Sequence, residues 1–304
     1  MIEILKQTKD YTWFHIVGLT PHDRRQLVDD YELTEEMINY AIDHNESVRV
    51  EYDVQADEIL MVFDVITDHT DLMQVATQPI GIMIMPEHRS IYTFAHEHTA
   101  HVRQAFIDGS GVDKEDAVDL IFSGLYQLVT EYINNIVEIN RKRRIVQARI
   151  SEKHQKWARL EELVQLKTRL IYLQNSLANN AAMLKNFRAD FSTQVTAKTL
   201  EHIDDVLVEV DQAKTMADLA MDVINSVSDA YGYLSNQELN WTMKMLTVYS
   251  IILTMPTIVG GFYGENVALP WASERYSWLI TIGITIFLMG VTTFILWRSG
   301  FFRK

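Results

Sequence analysis

Two stretches near the carboxyl end carry no charge: one between Lys244 and Glu265, the other between Arg275 and Arg298. The first, MLTVYSIILTMPTIVGGFYG, has 20 residues and the second, YSWLITIGITIFLMGVTTFILW, has 22. A hydrocarbon core of ~30 Å needs about 20 helical residues, so each is long enough to span a bilayer. Trp271, Tyr276 and Trp278 stand at one end of the second stretch and Trp297 at the other. Aromatic rings take such places at the two headgroup layers. The 11 residues between the stretches, ENVALPWASER, are too few for a domain. The pattern predicts a membrane hairpin; the competing reading is a buried hairpin in a soluble core.

Upstream the periodicity changes twice. Apolar, β-branched runs at Ser47–Asp53, Glu58–Ile66, Ile80–Met85 and Ser90–Ala95 predict strands, the last two forming a hairpin around Pro86-Glu87-His88-Arg89. Helical patterns fall at Pro21–Tyr31 and Thr34–His44, the second opening with Thr34 as a cap. From Val112 the breakers vanish. There is no Pro between Pro86 and Pro256, and neither Gly nor Pro between Gly124 and Gly232. So long a run, rich in Leu, Ala, Lys, Glu and Gln, predicts long helices. The polar stretch Phe187–Thr196 is the place for a turn, and the helix leaving it can run into the first span. Its roughly 65 residues would reach about 100 Å at ~1.5 Å each. The expected organisation is an α/β domain over 1–111, long helices with a stalk over 112–244, and a transmembrane hairpin with a basic tail over 245–304.

Charge adds a direction. Lys244 precedes the first span and Arg298, Arg303 and Lys304 follow the second, while the connecting loop holds only Arg275. The positive-inside rule then puts both termini in the cytoplasm of a two-span cell-membrane protein. The opening MIEILKQTKD lacks the apolar core of a secretory signal, in agreement. Residues 1–244 hold 23 basic and 39 acidic groups, a net of −16. That balance argues against nucleic acid as a partner and favours cations nearby. With no Cys, the chain has no disulfide, no Cys-ligated metal and no thiol nucleophile.

One stripe runs along the first span. Asn236, Asn240, Met243, Thr247, Ser250, Thr254, Thr257, Gly261 and Gly264 succeed each other by steps of 4 and 3. All but Met243 are small or polar, and their neighbours Leu246, Tyr249, Ile251, Ile252, Leu253 and Ile258 are large and apolar. Such a stripe either lets membrane helices approach closely or lines a water-filled pore. Two spans cannot enclose a pore, so the second reading needs an oligomer with the first helices innermost.

The order of Asn240-x-x-Met243-Lys244-x-Leu246-Thr247, Met255-Pro256, Tyr263-Gly264-Glu265-Asn266 and Pro270, followed by a second span and a basic tail, resembles the CorA family of divalent-metal transporters. The resemblance is close over 235–304 and looser upstream. It implies a funnel-shaped homopentamer that carries Mg2+, with Co2+ and Ni2+ often accepted, down its electrochemical gradient into the cytoplasm. Asn240, Met243, Thr247, Thr254, Thr257 and Gly261 take the family's pore-lining positions, and Ser250 lies on the same stripe. Tyr263, Gly264, Glu265 and Asn266 take its selectivity signature, with Glu265 replacing the signature's Met. In a pentamer Glu265 either forms a ring of five carboxylates at the outer mouth or turns aside to pair with Arg275.

The resemblance also implies a regulatory metal between subunits. In the acidic run Glu201, Asp204, Asp205, Glu209 and Asp211, Asp205 with Asp204 is its counterpart by distance from Asn240. A solvated acidic face is the plainer reading of that run. His96, Glu97, His98 and His101 offer ligands for Zn2+ or Ni2+, but Ala100 breaks any HExxH order, and a strand end entering a helix explains them equally. Arg141-Lys142-Arg143-Arg144 is most simply a solvated helix face. No P-loop or GxGxxG occurs, and no nucleophile–base spacing suggests an enzyme. Mg2+ enters as transported and regulatory ion; no cofactor is expected. The alternatives are a proton-coupled Zn2+ transporter of the ZntB branch and a membrane-anchored coiled-coil scaffold.

Overall fold

The computed structural model describes residues 2–68, 76–109, 117–149, 156–193, 195–267, 270–271 and 275–302. Six strands form one sheet: β1 (Ile2–Gln7), β2 (Thr12–Val17), β3 (Arg49–Asp53), β4 (Glu58–Ile66), β5 (Thr77–Met85) and β6 (Ser90–Ala95). Their order is β1-β2-β6-β5-β4-β3. Every neighbouring pair is antiparallel except β2 and β6, which run parallel with Thr12 opposite Ser90. The runs expected to be β3, β4, β5 and β6 are strands, β5 beginning three residues before Ile80; β1 and β2 were not anticipated.

Strand alternation sends β4 to two cores. Ile59, Met61, Phe63 and Val65 join a cluster with the long helices, whereas Leu60 and Val62 face α1 (Pro21–Asp29) and α2 (Glu35–Ile42). Residues buried on both faces explain why β4 reads as an unbroken apolar run. Gly81 of β5 sits under α2, where an added Cβ would lie 2.6 Å from the Cα of Ala41, so only glycine admits this approach.

Both short helices start on hydrogen bonds. Thr20 and Asp23 close a capping box at α1. Thr34 does stand at the N-cap of α2, but its side chain makes no capping bond; its backbone N–H instead donates to Oε1 of buried Glu58 at 2.9 Å. Burial raises the Glu58 carboxyl above its ordinary range, opposed by the bond from Thr34.

Beyond β6 come α3 (Val102–Gly109), α4 (Ala117–Arg149), α5 (Lys156–Phe191), α6 (Ala197–Tyr263) and α7 (Ser277–Arg298). The turn expected at Phe187–Thr196 separates α5 from α6, and Thr196 caps α6 by accepting the Thr199 N–H at 3.1 Å. α6 continues through the first charge-free stretch as one helix of 67 residues.

A polar set buried in the larger core pins helices to sheet. β3 stops pairing at Arg49 opposite Val62, so Asp64, two residues on, has no strand beside it there. Asn180 of α5 takes the strand's place: it accepts the Asp64 N–H at 3.0 Å and donates to the Asp64 carbonyl at 2.9 Å. The Tyr132 hydroxyl of α4 donates to the same carbonyl at 2.8 Å. Gln174 with Asp218 and Arg188 with Asp204 then tie α5 to α6 as antiparallel neighbours.

Contacts divide the chain into two compact units, 1–227 and 228–304, with α6 crossing the boundary. In the second unit, α6 and α7 each contain a stretch long and apolar enough to cross a membrane, and only 11% and 6% of those windows are buried. Soluble core helices would be mostly covered, so the buried-hairpin alternative fails.

Candidate functional site

The stripe occupies one uncovered face of α6. Asn240, Met243, Thr247, Ser250, Thr254, Thr257 and Gly261 are all exposed. Met245, Val248, Ile252, Met255, Val259 and Tyr263 are buried or half-buried. At 100° per residue the two sets centre roughly 160° apart, so the polar face looks away from what covers the helix. Large apolar residues border it, with Leu246, Tyr249 and Leu253 exposed on one side and Ile258 and Phe262 on the other.

The hydroxyls on this face have a definite polarity. Thr247 donates to the Met243 carbonyl at 2.9 Å, Thr254 to that of Ser250 at 2.7 Å, and Thr257 to that of Leu253 at 3.3 Å. Each proton is used within the helix, so what the oxygen presents outward is lone pairs. Such a surface accepts from hydrated cations and offers little to anions. Pro256, inside the helix, also has no N–H to give, which leaves the Ile252 carbonyl without its usual donor.

α6 ends at Tyr263, and Gly264, Glu265 and Asn266 follow it. Gly264 donates to Gly261 and Glu265 to Phe262 at 3.2 and 3.3 Å, tightening the last turn into i→i+3 bonds. An added Cβ at Gly264 would stand 3.0 Å from the Gly260 carbonyl oxygen, so the tight end favours glycine. Tyr263 is half-buried with Phe262 edge-on at 5.6 Å, while Glu265 and Asn266 are exposed just past the helix. The carbonyl end of a helix carries partial negative charge and favours cations there. Among the described residues no ion pair joins Glu265 to Arg275.

The two candidate regulatory carboxylates differ. Asp204 is held by Arg188, whose Nε and second guanidinium nitrogen lie 2.6 and 3.0 Å from its oxygens. Asp205 is exposed and lines a cavity of about 250 Å³ with Asp108, Ser123, Gln127 and His202. Beside it lies an ion cluster the sequence reading missed. Buried Asp119 of α4 meets Lys198 at 2.5 Å and His202 at 2.8 Å, both from the first turns of α6. The available signal was an acid inside the apolar run AVDLIF.

The histidines do not gather. His96 is buried, its ring tilted 30° against that of His44 at 3.7 Å between centroids, and driven down to about 4 by burial and then by His44. His101 lies 3.1 Å from Asp68 and 3.2 Å from Glu131. Burial works against its charge, but these carboxylates outweigh it and raise its pKa. Among the described residues no three His, Asp or Glu side chains form a ready metal site.

The profile of the family described as "CorA-like Mg2+ transporter protein" matches residues 8–298. The chain belongs to this family. Its relatives include the "Cobalt/magnesium transport protein CorA" of Methanocaldococcus jannaschii, 25% identical over 142 residues. That match covers 46% of this chain and 45% of the relative, so the chain spans about half the length of this curated protein. The complete structure of the CorA magnesium transporter from the same organism superposes with a TM-score of 0.85 at 20% identity, covering 98% of this chain and 94% of that one. Full-length CmaX superposes with a TM-score of 0.73 at 15% identity, covering 97% and 90%. The α/β domain, the long helices and the two apolar carboxyl-terminal helices are therefore the CorA fold.

Proposed function

We propose that this CorA-like chain conducts divalent cations, Mg2+ foremost, across the cell membrane through a pore lined by the α6 stripe of several copies, five by family resemblance. The observation that carries the reading is the uncovered polar face of α6, bordered by bare apolar residues and leading to Tyr263-Gly264-Glu265-Asn266. One chain leaves those apolar borders exposed; packing α6 against α6 would cover them and turn the polar faces inward.

Mg2+ sheds its water reluctantly, so a pore of hydroxyls, amides and carbonyls holds the hydrated ion through its waters and releases it again. Asn266 offers an amide oxygen at the mouth, and Glu265 concentrates cations there. A divalent ion moving down 100 mV, negative inside, gains about 4.6 kcal/mol at ~2.3 per charge, enough to drive entry without a nucleotide motor. Asp205, exposed beside a cavity, is the better of the two acids for a regulatory ion between subunits, because Asp204 is already paired with Arg188. Metal there would bridge like-charged subunits and close the pore, and its loss would let them repel. Both termini face the cytoplasm in this reading.

Purified protein in liposomes under an inside-negative potential tests it. Mg2+ entry is expected in the wild type and lost in Asn266→Ala. Glu265→Gln should weaken entry at low ion concentration, with the difference from wild type shrinking as salt screens the ring. Zn2+ entry that requires a proton gradient would favour the ZntB-like alternative; absence of flux for any divalent ion would end the transport reading.

A further inference from the structure

Neither the pore stripe nor the regulatory acids use Arg141-Lys142-Arg143-Arg144, which stands in the last turns of α4. Asn135, 14 residues before the end of α4, accepts from Arg169, 13 residues after the start of α5, so the two helices form an antiparallel hairpin. α5 is in turn antiparallel to α6 through Gln174 with Asp218 and Arg188 with Asp204. Within the first unit, α6 therefore runs toward the end where α4 stops and α5 starts. Past Val227 the same helix needs 17 more residues, about 26 Å at ~1.5 Å each, to reach the first charge-free stretch at Met245. Residues 139–160 hold eight basic groups and one acidic group, a net of +7. The remainder of 1–244, with 15 basic and 38 acidic groups, stands at −23. Glu138 is the one acid paired with the run among the described residues, meeting Arg141 at 2.8 Å and Lys142 at 3.9 Å, while Arg143 and Arg144 enter no ion pair. Arg141 and Arg144 are exposed, and Ile145 beside them is 47% exposed.

We propose that this basic end of the α4–α5 hairpin is a docking surface for the anionic headgroups of the cytoplasmic leaflet. The proposal rests on the transport reading only in taking α6 as a membrane span with the amino-terminal unit on the cytoplasmic side. A cluster of four to eight Lys and Arg on the cytoplasmic side of a span is attracted to anionic lipid by about 1 kcal/mol for each residue near the surface. Ile145, bare between arginines, adds apolar surface of the kind that interfacial helices bury beneath headgroups. The acidic run of another copy is the competing partner, and the fold disfavours it. Glu201–Asp211 lies in the first turns of α6, at the opposite end of the α5–α6 pair, where Arg188 meets Asp204. Copies related by a cyclic axis share one height, so the basic end of one chain stands level with the basic ends of its neighbours. Mutual repulsion there leaves the lipid surface as the partner of opposite sign.

Ala148, exposed near the end of α4, is replaced by Cys in this cysteine-free chain and carries a fluorophore. The full-length protein is placed in nanodiscs of phosphatidylcholine, with or without phosphatidylglycerol, that contain a quencher on the lipid headgroup. Quenching should be at least about two-fold stronger with phosphatidylglycerol and should decline as salt rises. It should return to the phosphatidylcholine level in Arg141→Gln/Arg144→Gln and stay at the wild-type level in Arg25→Gln on α1, with a thermal melt of each variant to check the fold. Lipid-dependent quenching that persists where Mg2+ entry into liposomes fails would sustain the docking surface while ending the transport reading. Quenching indifferent to phosphatidylglycerol, or a rise that survives Arg141→Gln/Arg144→Gln, would overturn the proposal. So would loss of the oligomer in that variant without any dependence on lipid, which would assign the run to another copy of the chain.

Discussion

Polar side chains meet opposite fates in the two units. In the first, Asn180 holds both backbone groups of Asp64, Glu58 holds the start of α2, and Asp119 holds Lys198 and His202. Each of these has its partner inside the chain. In the second, Thr247, Thr254 and Thr257 bond only to their own helix and turn the rest of their oxygen to an uncovered face. A polar group with a distant partner serves the fold. One left uncovered on an apolar membrane helix is kept for something the single chain does not contain.

The comparison breaks if removing a partnered group spares stability. Asn180→Ala strands the buried Asp64 N–H and opens a void, and should cost about 3 kcal/mol in a denaturant melt, while flux per folded molecule stays near wild type.

Acid probes the same unit. His15 is buried beside Thr93 and pushed down to about 4, first by burial. Its folded pKa lies below the unfolded value near 6.5, so stability is complete above 6.5 and falls as pH drops toward 4. His15 should account for about 2 kcal/mol of the loss at pH 5, and His15→Gln should remove that share while the share of His96, also held near 4, remains.

The second unit should behave in reverse. Thr254→Val removes an outward lone pair at nearly constant volume, so stability should move by less than about 0.5 kcal/mol while Mg2+ flux falls several-fold. A smaller effect separates His101 from His15. Its folded pKa is raised, so the stability it draws from Asp68 and Glu131 is complete below 6.5 and lost as pH rises through the higher folded value. His101→Asn should flatten that alkaline-side decline in a pH series of melts.

Legibility in the sequence followed the range of the interaction. β4, β5 and β6 announced themselves through local runs, and the turn before α6 through a polar stretch. β2 did not, because it is six residues long, contains His15, and pairs in parallel with a strand 78 positions away, with no hairpin to mark it. β1 was lost for a related reason: IEILKQ sits at the sheet edge, half exposed, with no strict alternation. The Arg188–Asp204 pair joins residues across a turn, and no spacing rule reads it. The stripe on α6 was legible because polar residues at steps of 3 and 4 stand out in a charge-free span. That it faces away from the covered side of the helix needed the fold.

The chain has no cysteine, so single cysteines placed along α6 report one position each. In liposomes, Cys at 247, 250, 254, 257 and 261 should react with a charged thiol reagent, block Mg2+ flux on reacting, and be protected by Mg2+. Cys at 248, 252 and 259 should react slowly and leave flux unchanged. Equal reactivity on both faces, or reaction on the stripe without block, would contradict a pore lined by the polar face of α6.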